Sequence, residues 1–217
     1  MNKISIYYAT RSEFKKQEIA AIEEATTYKA EDATDQLVGE RFKFVFSDVK
    51  TDEPLEVDLA TMVRHKAVSA YKSLLMPCIV EHAGLILLDH ANSGYPGGLT
   101  QPMMDALGAE DFVRRISAAG ERAVARAVIG YCDGMCVHIF TGDTEGAIAD
   151  KPRGGREFYW DTIFAPDGYD GATYAEISAK LGIREKMKVS QSRKALQQFL
   201  DFRVRRGANS LFMDFDR

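Results

Sequence analysis

The sequence predicts an α/β domain. Short runs of β-branched and aromatic residues alternate with segments whose apolar residues recur every three to four positions, as strands alternate with amphipathic helices. The chain has 217 residues, of which 46% are hydrophobic and 28% charged, so it is long enough to bury one core. Because no Pro/Gly/Ser-rich stretch divides it, we expect residues 1–217 to form a single domain.

The chain begins with a predicted strand, a turn and a helix. Ile4–Tyr8 is β-branched and aromatic, and Glu13–Glu24 has helical spacing with Ser12 at the N-cap position. The turn between them presents free backbone N–H groups at the positive end of a helix dipole, which favours an anion. A second strand is predicted at Phe42–Phe46 and a second helix at Leu59–Leu75.

In the rest of the chain the clearest local signal is a hairpin. Two alternating segments, Ala123–Tyr131 and Met135–Phe140, flank the turn dipeptide Asp133-Gly134. Before them, two apolar segments bracket the polar residues 81–84, which we therefore expect at a strand end or bulge. Further helices are predicted at Phe112–Ala118, Ala175–Lys180 and Lys194–Phe202.

Composition excludes several classes of function. A net charge of −4 and a pI near 5.6 argue against a large nucleic-acid surface, so no DNA partner is expected. The longest apolar run, Leu85–Leu88, is far too short to span a bilayer, and the N-terminus has no apolar signal core, so we expect a cytoplasmic protein. Cys78, Cys132 and Cys136 are an odd set without metal-ligand spacing, which favours reduced thiols.

Four lysines suggest how a polyanion could bind. Lys15, Lys16, Lys66 and Lys186 each lie beside a turn or on a helix that could face one cleft. A triphosphate needs several such point charges in addition to backbone donors. Taken singly, each lysine is better explained as a solvated surface charge, because lysine is rarely buried. The order of the surrounding motifs decides between these interpretations.

The motifs lie between Ala9 and Leu196, and each occurs once. They are Thr10 followed by Lys15; Glu53; Lys66; Glu81 with Gly84-Leu85; Tyr95-Pro96-Gly97-Gly98; Lys151-Pro152-Arg153-Gly154; Phe158-Tyr159-Trp160-Asp161; and Glu185-Lys186 followed by Ser190. In this order the chain resembles the Ham1 family of inosine triphosphate pyrophosphatases. The resemblance implies a mixed sheet with flanking helices and a central cleft, a non-canonical purine nucleotide as ligand, and a homodimer.

The resemblance also assigns roles to residues. Mg²⁺ would be held by Glu81 and by Glu53, with Asp52 and Glu56 as alternative counterparts of Glu53. Glu81 would share the catalytic position with His82. The residues implied to contact the nucleotide are Thr10, Ser12, Lys15, Lys66, Phe158, Trp160, Asp161, Lys186, Ser190 and Gln191.

Two departures from the family pattern lie at positions that determine function: the metal-binding and water-activating position, and the base pocket. His82 stands where the family has an Asp that binds Mg²⁺ and activates water. Imidazole is a poor ligand for this hard cation, so the magnesium site is weakened, although a neutral His82 could act as a general base or merely fill the space. Gln191-Ser192 replaces His-Arg in the base pocket, where the Gln191 amide can still donate to a keto oxygen.

Three functions follow. The first is a catalytically impaired nucleotide sensor that binds ITP, dITP or XTP and signals to a partner. The second is an active pyrophosphatase with an altered metal site, and the third is a structural protein with a vestigial pocket. His82 argues against the second and the retained lysines against the third. The first also resembles a Ham1-like subunit of a bacterial antiphage system that senses dITP, which implies a SIR2-type NADase effector as partner.

Overall fold

The computed structural model describes residues 3–29, 34–155 and 159–205. Within these ranges the strands are β1 (Ile4–Ala9), β2 (Thr27–Lys29), β3 (Asp35–Leu37), β4 (Phe42–Ser47), β5 (Cys78–Leu87), β6 (Arg122–Cys132), β7 (Val137–Ile148) and β8 (Phe164–Pro166). The helices are α1 (Glu13–Ala25), α2 (Val38–Arg41), α3 (Leu59–Leu74), α4 (Thr100–Leu107), α5 (Ala109–Arg115), α6 (Tyr174–Leu181), α7 (Ile183–Val189) and α8 (Gln191–Arg205).

A six-stranded mixed sheet organises the molecule. Its order is β4-β1-β5-β6-β7-β8, with β4, β1 and β5 parallel and the remaining neighbours antiparallel. Helices α1 and α8 pack on one face and α3 on the other, which leaves a hydrophobic cluster on each side. The predicted α/β class, with a mixed sheet and flanking helices, is confirmed. No helix in the described ranges has both the length and the apolar character needed to cross a membrane.

The predicted local elements are mostly confirmed. Ser12 caps α1 by accepting a hydrogen bond from the backbone N–H of Lys15, and β6 and β7 form the predicted hairpin through a turn that contains Gly134 at φ 93°. The prediction that residues 81–84 form a strand end or bulge is wrong, because β5 runs unbroken through them. Polar side chains are accommodated there because both sheet faces supply polar partners.

One stretch of β5 lacks a neighbouring strand. β1 pairs with β5 at Tyr7–Cys78 and Tyr8–Ile79 and ends at Ala9. Farther along the same edge, the backbone N–H of Leu85 donates to Thr100 Oγ1 and that of Leu87 to the carbonyl of Tyr95. Between these contacts, no strand in the described part of the chain pairs with β5 on this side. We call this gap, at residues 81–84, the open edge.

Gly84 allows the 95–100 segment to approach the end of this gap. A Cβ atom at Gly84 would lie 2.0 Å from the carbonyl oxygen of Gly97 and 2.9 Å from Thr100 Oγ1. A backbone oxygen cannot move aside as a flexible side chain can. The glycine therefore fixes where the segment closes over β5.

Three charged side chains are buried together between α1, α7 and the 159–162 turn. Lys186 Nζ donates to Glu18 Oε1 at 3.0 Å and to Asp161 Oδ2 at 2.5 Å. It also lies 4.2 Å from the ring centroid of Phe14. Removing one member of such a buried group leaves uncompensated charge, so this cluster fixes α1 against α7.

We expect loss of the α3 N-cap to destabilise the protein. Asp58 accepts hydrogen bonds from the backbone N–H groups of Ala60 and Thr61 and from the Thr61 hydroxyl. Asp58→Ala should lower the free energy of unfolding by about 1 kcal/mol, measured by urea denaturation. Asp58→Ser, which keeps a capping oxygen, should lose less. Equal loss in both variants would show that capping is not the cause.

Glu18 should make stability depend on pH. Burial raises its pKa from 4.5 to about 7, although Lys186 opposes the shift. The folded state therefore binds the proton more tightly than the unfolded chain, so the stabilisation is complete below pH 4.5 and is lost as the pH rises through about 7.

Glu18→Gln should therefore gain stability relative to the wild type as the pH rises across that range. The measurement is a series of denaturation curves, with Glu13→Gln in the exposed first turn of α1 as the control. A constant difference between wild type and Glu18→Gln at all pH values would contradict the assignment.

Candidate functional site

Two lysines from opposite sides of the sheet converge on the open edge. Lys15 Nζ, from the first turn of α1, donates to the backbone carbonyl of Glu81 at 2.9 Å. Lys66 Nζ, from α3, donates to the same oxygen at 3.2 Å. Burial and the nearby Lys15 lower the pKa of Lys66. Two cations held against one carbonyl repel each other, and an anion at this position would relieve that repulsion.

The turn before α1 borders the same position. The Ser12 hydroxyl accepts from the backbone N–H of Lys15 at 3.3 Å, and the Ser12 N–H donates to Thr10 Oγ1 at 3.2 Å. This turn holds the N-terminal end of a 13-residue helix beside the two lysines. Backbone donors, a helix dipole and two ammonium groups together are suited to a polyphosphate.

The carboxylate of Glu81 is buried and fully engaged. It accepts from the Tyr8 hydroxyl at 2.6 Å and from the Ser192 hydroxyl at 2.8 Å, and Lys15 Nζ lies 3.8 Å away. Burial alone would raise the pKa of Glu81, but Lys15 and the two hydroxyl donors outweigh it and lower the pKa. Glu81 is thus ionised, with both oxygens already accepting hydrogen bonds.

His82 points to the α3 face, next to Glu53. Its Nδ1 lies 3.4 Å from Glu53 Oε2, while Lys66 Nζ lies 2.8 Å from Glu53 Oε1. Burial would raise the pKa of Glu53, but His82 and Lys66 hold it far below its usual range. Burial, together with the two lysines, lowers the pKa of His82, so the imidazole is neutral at pH 7.

The orientation of His82 leaves one ring nitrogen without a partner. An ionised carboxylate only accepts hydrogen bonds, so Nδ1 carries the proton toward Glu53. Nε2 is then an acceptor, and it is buried without a hydrogen-bond partner in the described part of the chain. Such an atom costs stability unless a ligand or water meets it.

These residues do not fit the Mg²⁺ site that the resemblance implies. Glu81 and His82 are consecutive in a strand and face opposite sides, so Glu81 and Glu53 do not turn their carboxylates toward one point. Each carboxylate is also occupied by protein donors. No group of three or more His, Cys, Asp or Glu side chains in the described ranges is arranged to hold a metal ion.

The residues expected to hold the purine lie mostly in the protein core. Trp160 is 0% exposed and packs against the rings of Phe164 and Tyr174, so its indole offers no open face to a purine in this conformation. Phe158 lies outside the described residues. Ser190 and Gln191 are buried, and the Gln191 side-chain oxygen accepts from the Tyr174 hydroxyl at 3.0 Å.

Lys186 differs most from expectation. It was expected to face a phosphate cleft, but it is 1% exposed and lies between Glu18 and Asp161. Lysine in such a group is stabilised as a cation, and the two carboxylates raise its pKa in spite of burial. In this conformation Lys186 is therefore not open to phosphate, and its contact with a nucleotide stays a prediction.

Sequence reasoning missed Tyr8 and Glu18, and it did not foresee that Ser192 binds Glu81. Glu18 carried a detectable signal, because it lies one helical turn after Phe14 and next to Ile19, on the apolar face of α1. Tyr8 carried none, and Ser192, although assigned to the base pocket, carried no sign of its contact with Glu81. Their contacts with Glu81 span 73 and 111 residues along the chain.

Comparison with known proteins agrees with this architecture. The sequence pattern of the Ham1 family matches residues 6–202. A dITP/XTP pyrophosphatase from Methanopyrus kandleri is 38% identical over 133 residues, which cover 60% of this chain and 67% of that protein. A dITP/XTP pyrophosphatase from Methanosarcina acetivorans is 34% identical, over 68% of this chain and 76% of that protein. An inosine triphosphate pyrophosphatase from Scheffersomyces stipitis is 32% identical, over 75% of this chain and 81% of that protein.

Solved structures share the fold. A HAM1 protein from Coxiella burnetii superposes with a TM-score of 0.64 at 20% identity, covering 93% of this chain and 99% of that one. The Staphylococcus aureus Ham1 protein gives a TM-score of 0.57 at 20% identity, covering 92% and 99%. The sequence pattern spans nearly the whole chain and the sheet is the one these structures have, so this protein belongs to the Ham1 family.

Proposed function

We propose that this protein binds a non-canonical purine triphosphate, such as dITP, ITP or XTP, hydrolyses it poorly, and acts as a sensor. The observation that carries the proposal is the composition of the open edge. Lys15 and Lys66 are in place for phosphate, whereas a neutral imidazole occupies position 82. Further support comes from the relatives, which are named dITP/XTP and inosine triphosphate pyrophosphatases.

Impaired hydrolysis follows from what the site offers an attacking water. Glu81 is held by two hydroxyl donors, and Glu53 by Lys66 and His82. A carboxylate that already accepts from protein donors and whose pKa is depressed is a weak general base. Binding can persist without these groups, since the phosphates are met by lysines and backbone donors.

One observation favours an active pyrophosphatase as the second candidate. Glu53 orients the His82 ring so that Nε2 is an unprotonated acceptor, the arrangement by which a carboxylate prepares a histidine general base. A water between Nε2 and the bound phosphates would give this dyad a proton to accept. Turnover would then depend on His82 in place of a metal-bound carboxylate.

The sensor role also implies protein partners. We propose a homodimer in the cytoplasm whose nucleotide-bound form activates a SIR2-type NADase in antiviral defence. Support comes from the resemblance to a Ham1-like antiphage subunit alone. Light scattering tests the dimer, and NAD⁺ consumption by a co-purified complex on addition of dITP tests the effector.

We expect dITP and ITP to bind without efficient turnover. At a nucleotide concentration of about 100 times Kd, mass action should stabilise the fold by about 2.7 kcal/mol. Thermal unfolding measures the binding, and colorimetric detection of released pyrophosphate measures the turnover, with and without Mg²⁺. Turnover at an ordinary enzymatic rate, abolished by His82→Ala, would sink the sensor proposal and establish the pyrophosphatase.

Loss of either edge lysine should weaken triphosphate binding selectively. Lys15→Ala and Lys66→Ala each remove a charge-assisted contact, so the dITP affinity should fall about ten- to a hundredfold. Deoxyinosine, which lacks the phosphates, should be affected far less. Calorimetric titration measures both ligands, and Lys72→Ala, at an exposed position on α3, is the matched control. Equal losses for dITP and deoxyinosine would show that the lysines are structural.

A further inference from the structure

We propose that this site binds its nucleotide triphosphate without a divalent cation, because His82 supplies a neutral group where a carboxylate would otherwise face the phosphates. The inference rests on the proposed function, since it concerns the same ligand at the same place. It extends that function by stating which ionic form of the ligand suffices: the free tetra-anion binds as well as its magnesium complex does.

The net charge around the open edge is suited to an anion. Lys15 and Lys66 contribute two positive charges, and Glu81 and Glu53 contribute two negative ones. His82 adds none when neutral, and the N-terminus of α1 adds a partial positive charge. The balance therefore favours an anion. A carboxylate at position 82 would add a third negative charge, and a polyphosphate would then need a cation between it and the protein.

The two glutamates near the open edge are held apart, on opposite sides of the sheet. Glu81 faces Tyr8 and Ser192 on one side of the sheet, and Glu53 faces Lys66 and His82 on the other. To ligate a common ion, the two carboxylates would have to turn away from the donors that now hold them toward opposite sides of the sheet. Mg²⁺ also demands near-ideal octahedral oxygen geometry and gives up its waters reluctantly. The protein therefore offers this cation no preformed pair of ligands.

Lys15 and Lys66 can neutralise phosphate oxygens without a metal ion. Both ammonium groups already lie at the Glu81 carbonyl, and their proximity to each other contributes to the lowered pKa of Lys66. Each ammonium group has three N–H donors, so an incoming phosphate can accept from both lysines while they keep their hydrogen bonds to the carbonyl. The lysines thus neutralise phosphate oxygens in the way that a bridging cation would.

The test is a calorimetric titration of the full chain with dITP, once with excess EDTA and once with excess Mg²⁺, at about pH 8, where histidine is neutral. We expect the two dissociation constants to agree within about threefold. Binding that appears only with Mg²⁺ would overturn this inference and leave the proposed function standing. The absence of dITP binding in both conditions would overturn the proposed function and, with it, this inference.

Two variants test the role of His82. His82→Asp adds the missing negative charge, so its affinity in EDTA should fall about tenfold relative to its affinity in Mg²⁺. His82→Asn stays neutral and should keep a ratio near one, whatever its absolute affinity. An EDTA-insensitive His82→Asp, or an EDTA-sensitive His82→Asn, would contradict the assigned cause. Circular dichroism confirms folding, and the wild-type comparison remains decisive if a variant does not fold.

Discussion

The site depends on one hydrogen-bonding constraint at the open edge. Because β1 ends at Ala9 while β5 continues, the carbonyl of Glu81 has no strand partner on that side. A backbone carbonyl in such a place must be satisfied from elsewhere, and Lys15 and Lys66 satisfy it. The difference in length between β1 and β5 leaves a gap in the sheet. The carbonyl exposed in that gap binds both lysines, and this brings the two cations together.

The two-residue period of β5 divides this region into two environments. Glu81 faces α1 and α8, where Tyr8 and Ser192 hold its carboxylate. His82 faces α3 and meets Glu53. A third polar group, the Lys186 cluster with Glu18 and Asp161, lies deeper on the Glu81 side. Residues adjacent in sequence thus serve separate networks, and the strand backbone is what joins them.

Much of the architecture could be predicted from local patterns. The β1 strand, the Ser12 cap and the hairpin at Asp133-Gly134 all depend on neighbouring residues, which the sequence displays directly. The β5 strand could not be predicted as continuous, because polar residues at 81 and 82 break the apolar run. What makes them tolerable is the partners that tertiary contacts bring to both faces.

The site was predicted less completely than the fold, for the same reason. Lys15 and Lys66 were identified, but the burial of Lys186 was not, because its partner Glu18 lies 168 residues away. A lysine motif indicates a positive charge, but it does not indicate whether that charge is paired with a buried carboxylate or is free to bind a ligand. The resemblance likewise implies that Trp160 contacts the nucleotide, and the packing of Phe164 and Tyr174 around it has no local signature.

Trp160 has a practical consequence. It is the only tryptophan in the 217-residue sequence, it is 0% exposed, and it immediately precedes Asp161 of the buried cluster. The tryptophan fluorescence of the protein therefore originates from one indole in one environment. Its emission maximum and its accessibility to quenchers report on this part of the core without any label, so the molecule contains its own optical probe.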